Sequence, residues 1–438
     1  MKPSTNETPS QTYKMTELGV LPEEWKVVPL DNKYIEFQNG LWKGKKEPYI
    51  KVRVLRNTNF KNDGTIDFED VAELDVEQRN FKNREIIKDD IILERSGGGP
   101  TQPVGRVVFF EREDQFMYSF SNFTSRIRIS DKLIIFPKFL FYFLLDFYNQ
   151  GKTNDIQNRT TGIRNLDFSR YKQIPIPLPP LPEQQKIAAV LSAVQEVKEK
   201  TEAVIAATKA LKKSMMKHIF TYGPVSPEET ENVLLKETEI GPVPKDWEVV
   251  RLGEVAENRK ETIDPKKEEI TYVGLEHINS GENRLKKYGN SKEIKSSKSK
   301  FYKNDILYAK LRPYLDKGIL AEFEGICSTD ILVIQHNKEL VNPQYLTYFL
   351  HMPNFLNFAT KSMTGVNHPR TSWSVLKIFK LPLPSLPIQQ KIASILSAID
   401  AKIEAEENKK KALEELFKSL LHNLMTAKIR VNHLGVTS

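Results

Sequence analysis

Between Glu183 and Phe220 the chain contains neither proline nor glycine, and apolar side chains fall at Ile187, Leu191, Val194, Val197, Val204, Leu211, Met215 and Ile219. Thr201 and Thr208 occupy the gaps in this three-and-four spacing. The pattern predicts a long helix with one narrow apolar stripe. A second such stretch runs from Ile388 to about Thr426, with Ile392, Leu396, Ile399, Ile403, Leu413, Leu416, Leu420 and Leu424 on its stripe. Its centre, Glu404 to Lys411, is strongly charged, and the stripe weakens there. At 1.5 Å per residue each helix spans roughly 55–60 Å. A narrow stripe on so long a helix needs a partner. The two stretches are candidates for each other, antiparallel, through Ile187, Leu191 and Val194 of one and Ile392, Leu396 and Ile399 of the other. Two helices each packed on its own domain are the alternative.

The rest of the pattern is mixed. Short β-like runs, Val104 to Phe110 and Arg126 to Ile129, alternate with turn signals. The most apolar window, Leu133 to Tyr148, is broken by Pro137, Lys138 and Asp146 and is shorter than a bilayer span. It reads as a core helix, with a counterpart at Pro343 to Leu350. Directly ahead of each long helix stands a proline-rich joint, Pro175 to Pro182 and Leu381 to Pro387. Proline fixes φ and disfavours helix in the residue before it, so both joints are expected to be stiff and extended.

These elements occur twice because the chain repeats itself. Leu181 to Ala193 returns 205 residues later as Leu386 to Ala398 with 10 of 13 positions identical. A second echo opens each half: Thr16-Glu17-Leu18-Gly19, Pro22, Trp25, Val27, Val28 and Leu30 against Thr238-Glu239-Ile240-Gly241, Pro244, Trp247, Val249, Val250 and Leu252. The ends of the copies match and the middles do not. That is the signature of a tandem duplication with a shared frame and two different readers.

Composition narrows the function. The 438 residues suffice for two or three domains, and a net charge of +8 favours an anionic partner. One cysteine, Cys327, excludes internal disulfides and a cysteine-rich zinc site. Met1 to Lys14 is polar, so no signal peptide is expected, and the chain reads as soluble and cytoplasmic. A methyltransferase would need Asn/Asp-Pro-Pro-aromatic and a Gly-rich cofactor turn. The only Pro-Pro, Pro179-Pro180, follows Leu178. Gly151-Lys152-Thr153 ends like a phosphate loop, but Asp146 stands where that motif requires glycine. Gly97-Gly98-Gly99 is a phosphate cradle or an ordinary loop. The seven histidines do not pair at metal-ligand spacing, and Asp89, Asp90 and Glu94 form no distinctive nuclease pattern.

The order of variable domain, proline joint with Leu-Pro-x-Gln-Gln-Lys-Ile, long helix, and the same again resembles the specificity subunit of type I restriction–modification systems. So do the Gly-x-x-Pro-x-x-Trp-x-Val openings at Gly19 to Val27 and Gly241 to Val249. The resemblance covers about Thr16 to Thr426. It implies an α/β (α+β) fold in which two mixed target-recognition domains, each reading half of a bipartite DNA site, are separated by an antiparallel pair of long helices in a pseudo-two-fold duplication. It also implies that the helices dock two modification (methyltransferase) subunits, and that restriction subunits (ATP-dependent translocase and nuclease) join that core. No cofactor is then expected on this chain: S-adenosylmethionine belongs to the modification subunit, and ATP with Mg to the restriction subunit. The implied organisation is a tail (1–15), first recognition domain with joint (16–182), first helix (183–220), linker (221–237), second recognition domain with joint (238–387), second helix (388–426) and tail (427–438). The other classes to weigh are a coiled-coil protein-interaction scaffold without DNA specificity and a free-standing DNA methyltransferase or nuclease.

Duplex reading needs cations for phosphates and planar side chains for base edges. In the first domain Arg159, Thr160, Arg164 and Asn165 lie just before the proline joint, and Lys361, Asn367, His368 and Arg370 lie at the matching place in the second. The Thr-Gly shared by these loops, Thr161-Gly162 and Thr364-Gly365, is consistent with a common frame or with an ordinary turn. Arg95 with Ser96, and Lys310 with Arg312, form a second pair of candidate loops, and Lys43, Lys45 and Lys46 are candidate phosphate clamps. Arg284 to Lys303 carries eight Lys/Arg and one acid, a solvated face or a backbone contact.

Overall fold

The computed structural model describes residues 12–41, 44, 46–99, 102–160, 163–264, 269–294 and 296–431. The chain divides into two compact units: residues up to Lys200 together with those from Lys409 onward, and Thr201–Asn408. Neither long helix is a segment of its own, as the sequence-based organisation has it. The first helix, Leu181–Tyr222, and the second, Leu386–Met425, each contribute one end to either unit. Both start earlier than the sequence pattern predicts, because the Leu-Pro of each joint forms the first turn, where proline's missing N–H is no loss.

The first unit is built on a four-stranded antiparallel sheet in the order Ile35–Asn39, Thr124–Ile129, Ile91–Glu94, Val107–Phe109. The apolar runs are continuous because both faces are covered. Successive side chains point to opposite faces of a strand. Ile91, Leu93, Val107 and Phe109 accordingly join a core with the helix Pro137–Asn149, whereas Ile92, Val108 and Phe110 meet Leu55, Tyr118 and Phe120 on the other side. The second unit repeats the plan with Ala256–Asn258, Ile331–His336, Ile306–Ala309 and Gly318–Leu320, in the same order along the chain and across the sheet. Ile306 and Tyr308 face the helix-side core, and Leu307 faces away from it. The larger added sheets differ: two of three strands in the first unit, one of five in the second. The divergence of the middles lies there.

The repeated motifs act as fasteners. Each proline joint is a β-strand rather than a free connector. Pro175–Leu178 pairs with Lys26–Pro29, and Lys380–Leu383 pairs with Glu248–Arg251. The first glutamine of each Gln-Gln is fully buried. Gln184 Nε2 donates to the carbonyls of Ile134 (3.0 Å) and Pro179 (2.8 Å), and its Oε1 accepts from the Phe136 amide (2.8 Å). Gln389 does the same with Leu340 (3.0 Å), Pro384 (2.7 Å) and the Asn342 amide (2.7 Å). One side chain thus ties the joint, the core helix and the long helix together in each unit.

Within each unit the start of one long helix lies against the end of the other. In the first, Ile187 and Leu191 share a core with Phe417, Leu421 and Leu424, and Val194 packs against it. Lys198 Nζ sits 5.9 Å from the centre of the Phe417 ring. In the second, Ile392 and Leu396 share a core with Met216, Ile219 and Phe220, with Ile399 packed against it, and Lys209–Glu407 (2.7 Å) and Lys212–Asp400 (2.6 Å) bridge the helices. Numbers rise on one helix as they fall on the other, so the packing is antiparallel. The six residues assigned to helix pairing therefore serve two different cores, three in each.

The stripe itself needs correction. Val197, Val204, Leu211 and Leu416 are exposed, and their neighbours Lys198, Ile205 and Phe417 are buried instead, with Lys212 only 12% exposed. Lys198 occupies a seam position because its ammonium meets Asp63 at 2.6 Å while its stem lies in the core. A hydrophobicity pattern does not show such a pair.

Candidate nucleic-acid interface

In the first unit three segments form a small sheet: the strand Ser96–Gly98, then the hairpin arms Ile163–Leu166 and Gln157–Thr160. The Leu166 amide donates to the Arg95 carbonyl (2.8 Å), and the Arg95 amide to that of Phe123 (2.8 Å). The second unit repeats these contacts on a different sequence. Thr371 donates to the Lys310 carbonyl (2.9 Å) and Lys310 to that of Asp330 (3.0 Å), while Arg370 bridges to both Leu311 and Thr364. The two candidate loops of each domain, separate in the sequence, are one edge in space. Arg95 corresponds to Lys310, and Asn165 to Arg370.

Several of the sequence-derived candidates have hydrogen-bond partners within the protein. Arg95 bonds Asn39 Oδ1 at 2.6 Å and stacks 4.2 Å from the Phe168 ring; burial pushes its guanidinium below the usual value. Ser96 Oγ donates to Asn165 Oδ1 at 2.5 Å, locking the strand to the hairpin. Arg370 grips Asp330 through Nε (2.8 Å) and Nη2 (3.2 Å), and that contact holds the Asp330 carboxyl below its ordinary range. These residues position the edge. Lys310, Arg312, Lys361, Asn367 and His368 make no side-chain hydrogen bond or ion pair among the described residues, and all but the half-buried Lys310 are exposed. Arg312 is held in the left-handed region at φ 50°, its amide bonded to the Pro369 carbonyl at 2.9 Å. Arg164 lies on its strand in the middle of the sheet. Arg159 and Thr160 have strand backbone, but their side chains lie outside the described residues, as do Lys43 and Lys45 entirely; Lys46 is exposed.

Supporting residues that sequence reasoning missed surround this edge. Buried Arg106 clamps both Glu94 oxygens (2.8 and 2.7 Å) and the carbonyls of Phe60 and Asn57, and Asn57 Nδ2 reaches the Ser96 carbonyl at 3.3 Å. Gly97, at φ 101°, leaves no room for a Cβ beside Asn57. The Gly run is thus a paired strand, not a phosphate loop. The carboxylates weighed for a nuclease are held structurally: Asp90 by Arg128, Asp89 by Lys132 and Glu94 by Arg106. In the basic run, Arg284, Lys286, Lys292 and Lys300 pair with Glu322, Glu282, Glu269 and Glu261. These four of its eight cations are thereby neutralised. Among the described residues no group of three or more His, Cys, Asp or Glu is placed to hold a metal ion, and no helix is long and apolar enough to cross a membrane.

Comparison with known proteins agrees with the duplicated geometry. The family described as "Type I restriction modification DNA specificity domain" matches residues 22–207 and again 244–415. The chain is 28% identical over 440 residues to the putative type I restriction enzyme MjaX specificity subunit of Methanocaldococcus jannaschii, covering 96% of this chain and 97% of that protein. It is likewise 28% identical over 448 residues to the MjaVIII specificity subunit of the same organism, at 95% coverage of both. The type I restriction–modification S subunit from M. genitalium shares the fold with a TM-score of 0.53, at 16% identity over 91% of this chain and 96% of that one. A chain from a structure of the type I R-M system gives 0.52, at 16% identity over 93% and 99%. With two matched copies spanning most of its length, the chain belongs to the family of type I restriction–modification specificity subunits.

Proposed function

We propose that this chain is the DNA-reading subunit of a type I restriction–modification complex, each unit recognising one half of a bipartite duplex site. The observation that carries the reading is the pair of loop edges, alike in backbone and different in side chains, mounted on one repeated frame. Such an arrangement keeps geometry constant while letting base contacts differ. Cationic side chains set register on phosphates, and side chains that reach the base edges set sequence. The chain itself is a non-catalytic reader. Methyl transfer with S-adenosylmethionine belongs to two modification subunits docked through the long helices, and ATP with Mg to restriction subunits, all in the cytoplasm. The second unit has a cleft of about 1030 Å³ lined by Met216, Phe220, Phe349 and Ile403 together with Lys213 and Lys217. That cleft supports a docking role for this part of the helices.

The test is methylation sequencing of DNA from cells expressing the chain with its methyltransferase, beside a deletion of the chain alone. A bipartite motif that vanishes in the deletion, and of which only one half changes when residues 31–170 are exchanged, supports the reading. Unchanged methylation in the deletion overturns it and favours an interaction scaffold. Light scattering should give two modification subunits per chain; saturation at one refutes that stoichiometry.

A further inference from the structure

Both units hold an apolar side chain out at the tip of the reading edge, in a setting that is otherwise polar and cationic. Ile163 is 54% exposed, and Val366, at 97%, is the most exposed large hydrophobic residue among those described. Each is the first residue after Thr-Gly, although the second loop is two residues longer before the backbone contacts coincide again. Thr160 pairs with Ile163, which places Ile163 at the end of a two-stranded ribbon; Val366 stands between the bridged residues Thr364 and Arg370. A second exposed apolar residue accompanies each: Phe123 (46%) bonded through its carbonyl to Arg95, and Tyr314 (48%) two residues from Arg312. Single exposed hydrophobes are ordinary. The same type at the same turn of two otherwise divergent loops is not explained by packing, because neither side chain contributes to a core.

We propose that Ile163 and Val366 are base-reading residues, each laying its methyl groups on the C5 methyl of a thymine in the major groove of its own half-site. The inference rests on the DNA-reading function above. A two-stranded ribbon fits the major groove, and the thymine methyl is the apolar group displayed there. β-Branched side chains suit the task because they are stiff at χ1 and lose little freedom on contact. The ribbon of the first unit is held in place by Ser96–Asn165, and the bridged loop that carries Val366 by Arg370–Asp330. Unpaired Arg312 and Lys361 supply the phosphate attraction around Val366 that brings the duplex to it.

The experiment uses the chain assembled with its modification subunits and synthetic duplexes carrying the methylated motif. In each duplex the thymines of one half-site are replaced by deoxyuridine, which removes the methyl and keeps the hydrogen-bonding edge. Burying one methyl is worth about fourfold in affinity. For the wild-type complex, deoxyuridine in one half-site should weaken binding by about that factor, and Ile163→Ala should abolish the difference there while leaving the other half-site's penalty intact. Val366→Ala should do the converse. Both residues are exposed, so the variants keep their fold, and unchanged affinity for a scrambled duplex verifies it. An equal deoxyuridine penalty in wild type and both variants, or none in wild type, overturns the proposal. If motif and scrambled duplexes bind wild type alike, it is the DNA-reading function itself that fails.

Discussion

Replacing Gln184 with methionine keeps the length of the side chain and removes all three of its hydrogen bonds. The Ile134 and Pro179 carbonyls and the Phe136 amide then lose their partner in a site with no solvent access. A buried polar group left unsatisfied costs about 1–3 kcal/mol, so the three together cost about 3–9 kcal/mol. A gain from the more apolar methionine offsets one methylene's worth, about 0.8 kcal/mol. The same loss is expected for Gln389→Met in the second unit, where Leu340, Pro384 and Asn342 are the partners. The exposed neighbour Gln185 is the control, and its methionine variant should stay within about 0.5 kcal/mol. Multi-domain chains rarely unfold in one step, so amide exchange resolved by segment is the suitable assay. Protection should fall in residues 134–140 and 181–191 for Gln184→Met, and in 340–346 and 386–396 for Gln389→Met. A loss below about 1 kcal/mol in either variant would refute the view that this glutamine is the fastener of the repeated frame.

Asp63→Ala strands the buried Lys198 ammonium; breaking a buried pair costs about 3–5 kcal/mol, and the partly open carboxylate brings the expectation to about 2–3, read by exchange in residues 187–198, with Lys198→Met in the same background restoring most of it. Burial pushes the Asp63 carboxyl up, but hydrogen bonds from Lys198 and Thr65 outweigh it and hold the folded value below 3.8. The unfolded state then binds the proton first, so this contribution is complete above pH 3.8 and drains away as pH falls through the folded value; an acid-unfolding midpoint unmoved by Asp63→Asn contradicts it. Arg430→Ala should free Glu183, which also accepts from the Trp25 indole at 3.0 Å, and redden Trp25 emission; unchanged emission would count against the Glu183 clasp. Leu191→Lys and Leu396→Lys should each open its own unit and act additively, since they sit in different cores; a coupling above about 1 kcal/mol would restore the simpler picture of one shared seam.

The long helices, the core helices and the repeated frame were legible because periodicity and internal identity are local signals. What was not legible depended on distant partners. The stripe predicted Val197 where Lys198 is buried, since an apolar neighbour looks like the better seam residue until Asp63 is known to reach it. The same one-step slip separates Val204 from Ile205 and Leu416 from Phe417, and Phe417 has its ring against Tyr142 at 6.1 Å. At the reading edge, charge and planarity selected Arg95 and Arg370 as contacts. Their partners, Asn39, Phe168 and Asp330, lie 40 to 73 residues away and engage them within the protein, although the Arg370 side chain stays 41% exposed. Arg312, Lys361, Asn367 and His368 remain outward because nothing of that kind faces them.

The mismatches within the repeat mark where the copies have different work. In Leu181 to Ala193 against Leu386 to Ala398, two differences are small or apolar exchanges and the third is Glu183 for Ile388. Glu183 is buried and would be costly there alone. It is tolerated because Arg430, from the segment after the second helix, binds both its oxygens at 2.6 and 2.9 Å, while a second contact to Glu24 at 2.6 Å completes the clasp. Burial alone would lower the Arg430 pKa, but hydrogen bonds to the two carboxylates and their charge raise it on balance, so the guanidinium stays charged. Ile388 needs no such partner and packs against the second core. An exchange of the two residues is therefore asymmetric. Glu183→Ile leaves the buried Arg430 with only the half-exposed Glu24 and strands the Trp25 indole N–H, whereas Ile388→Glu places a carboxylate at a partly buried position on the edge of an apolar core. The first change should destabilise its unit by more free energy than the second, and equal or reversed losses would mean that burial at position 388, not the clasp, sets the cost.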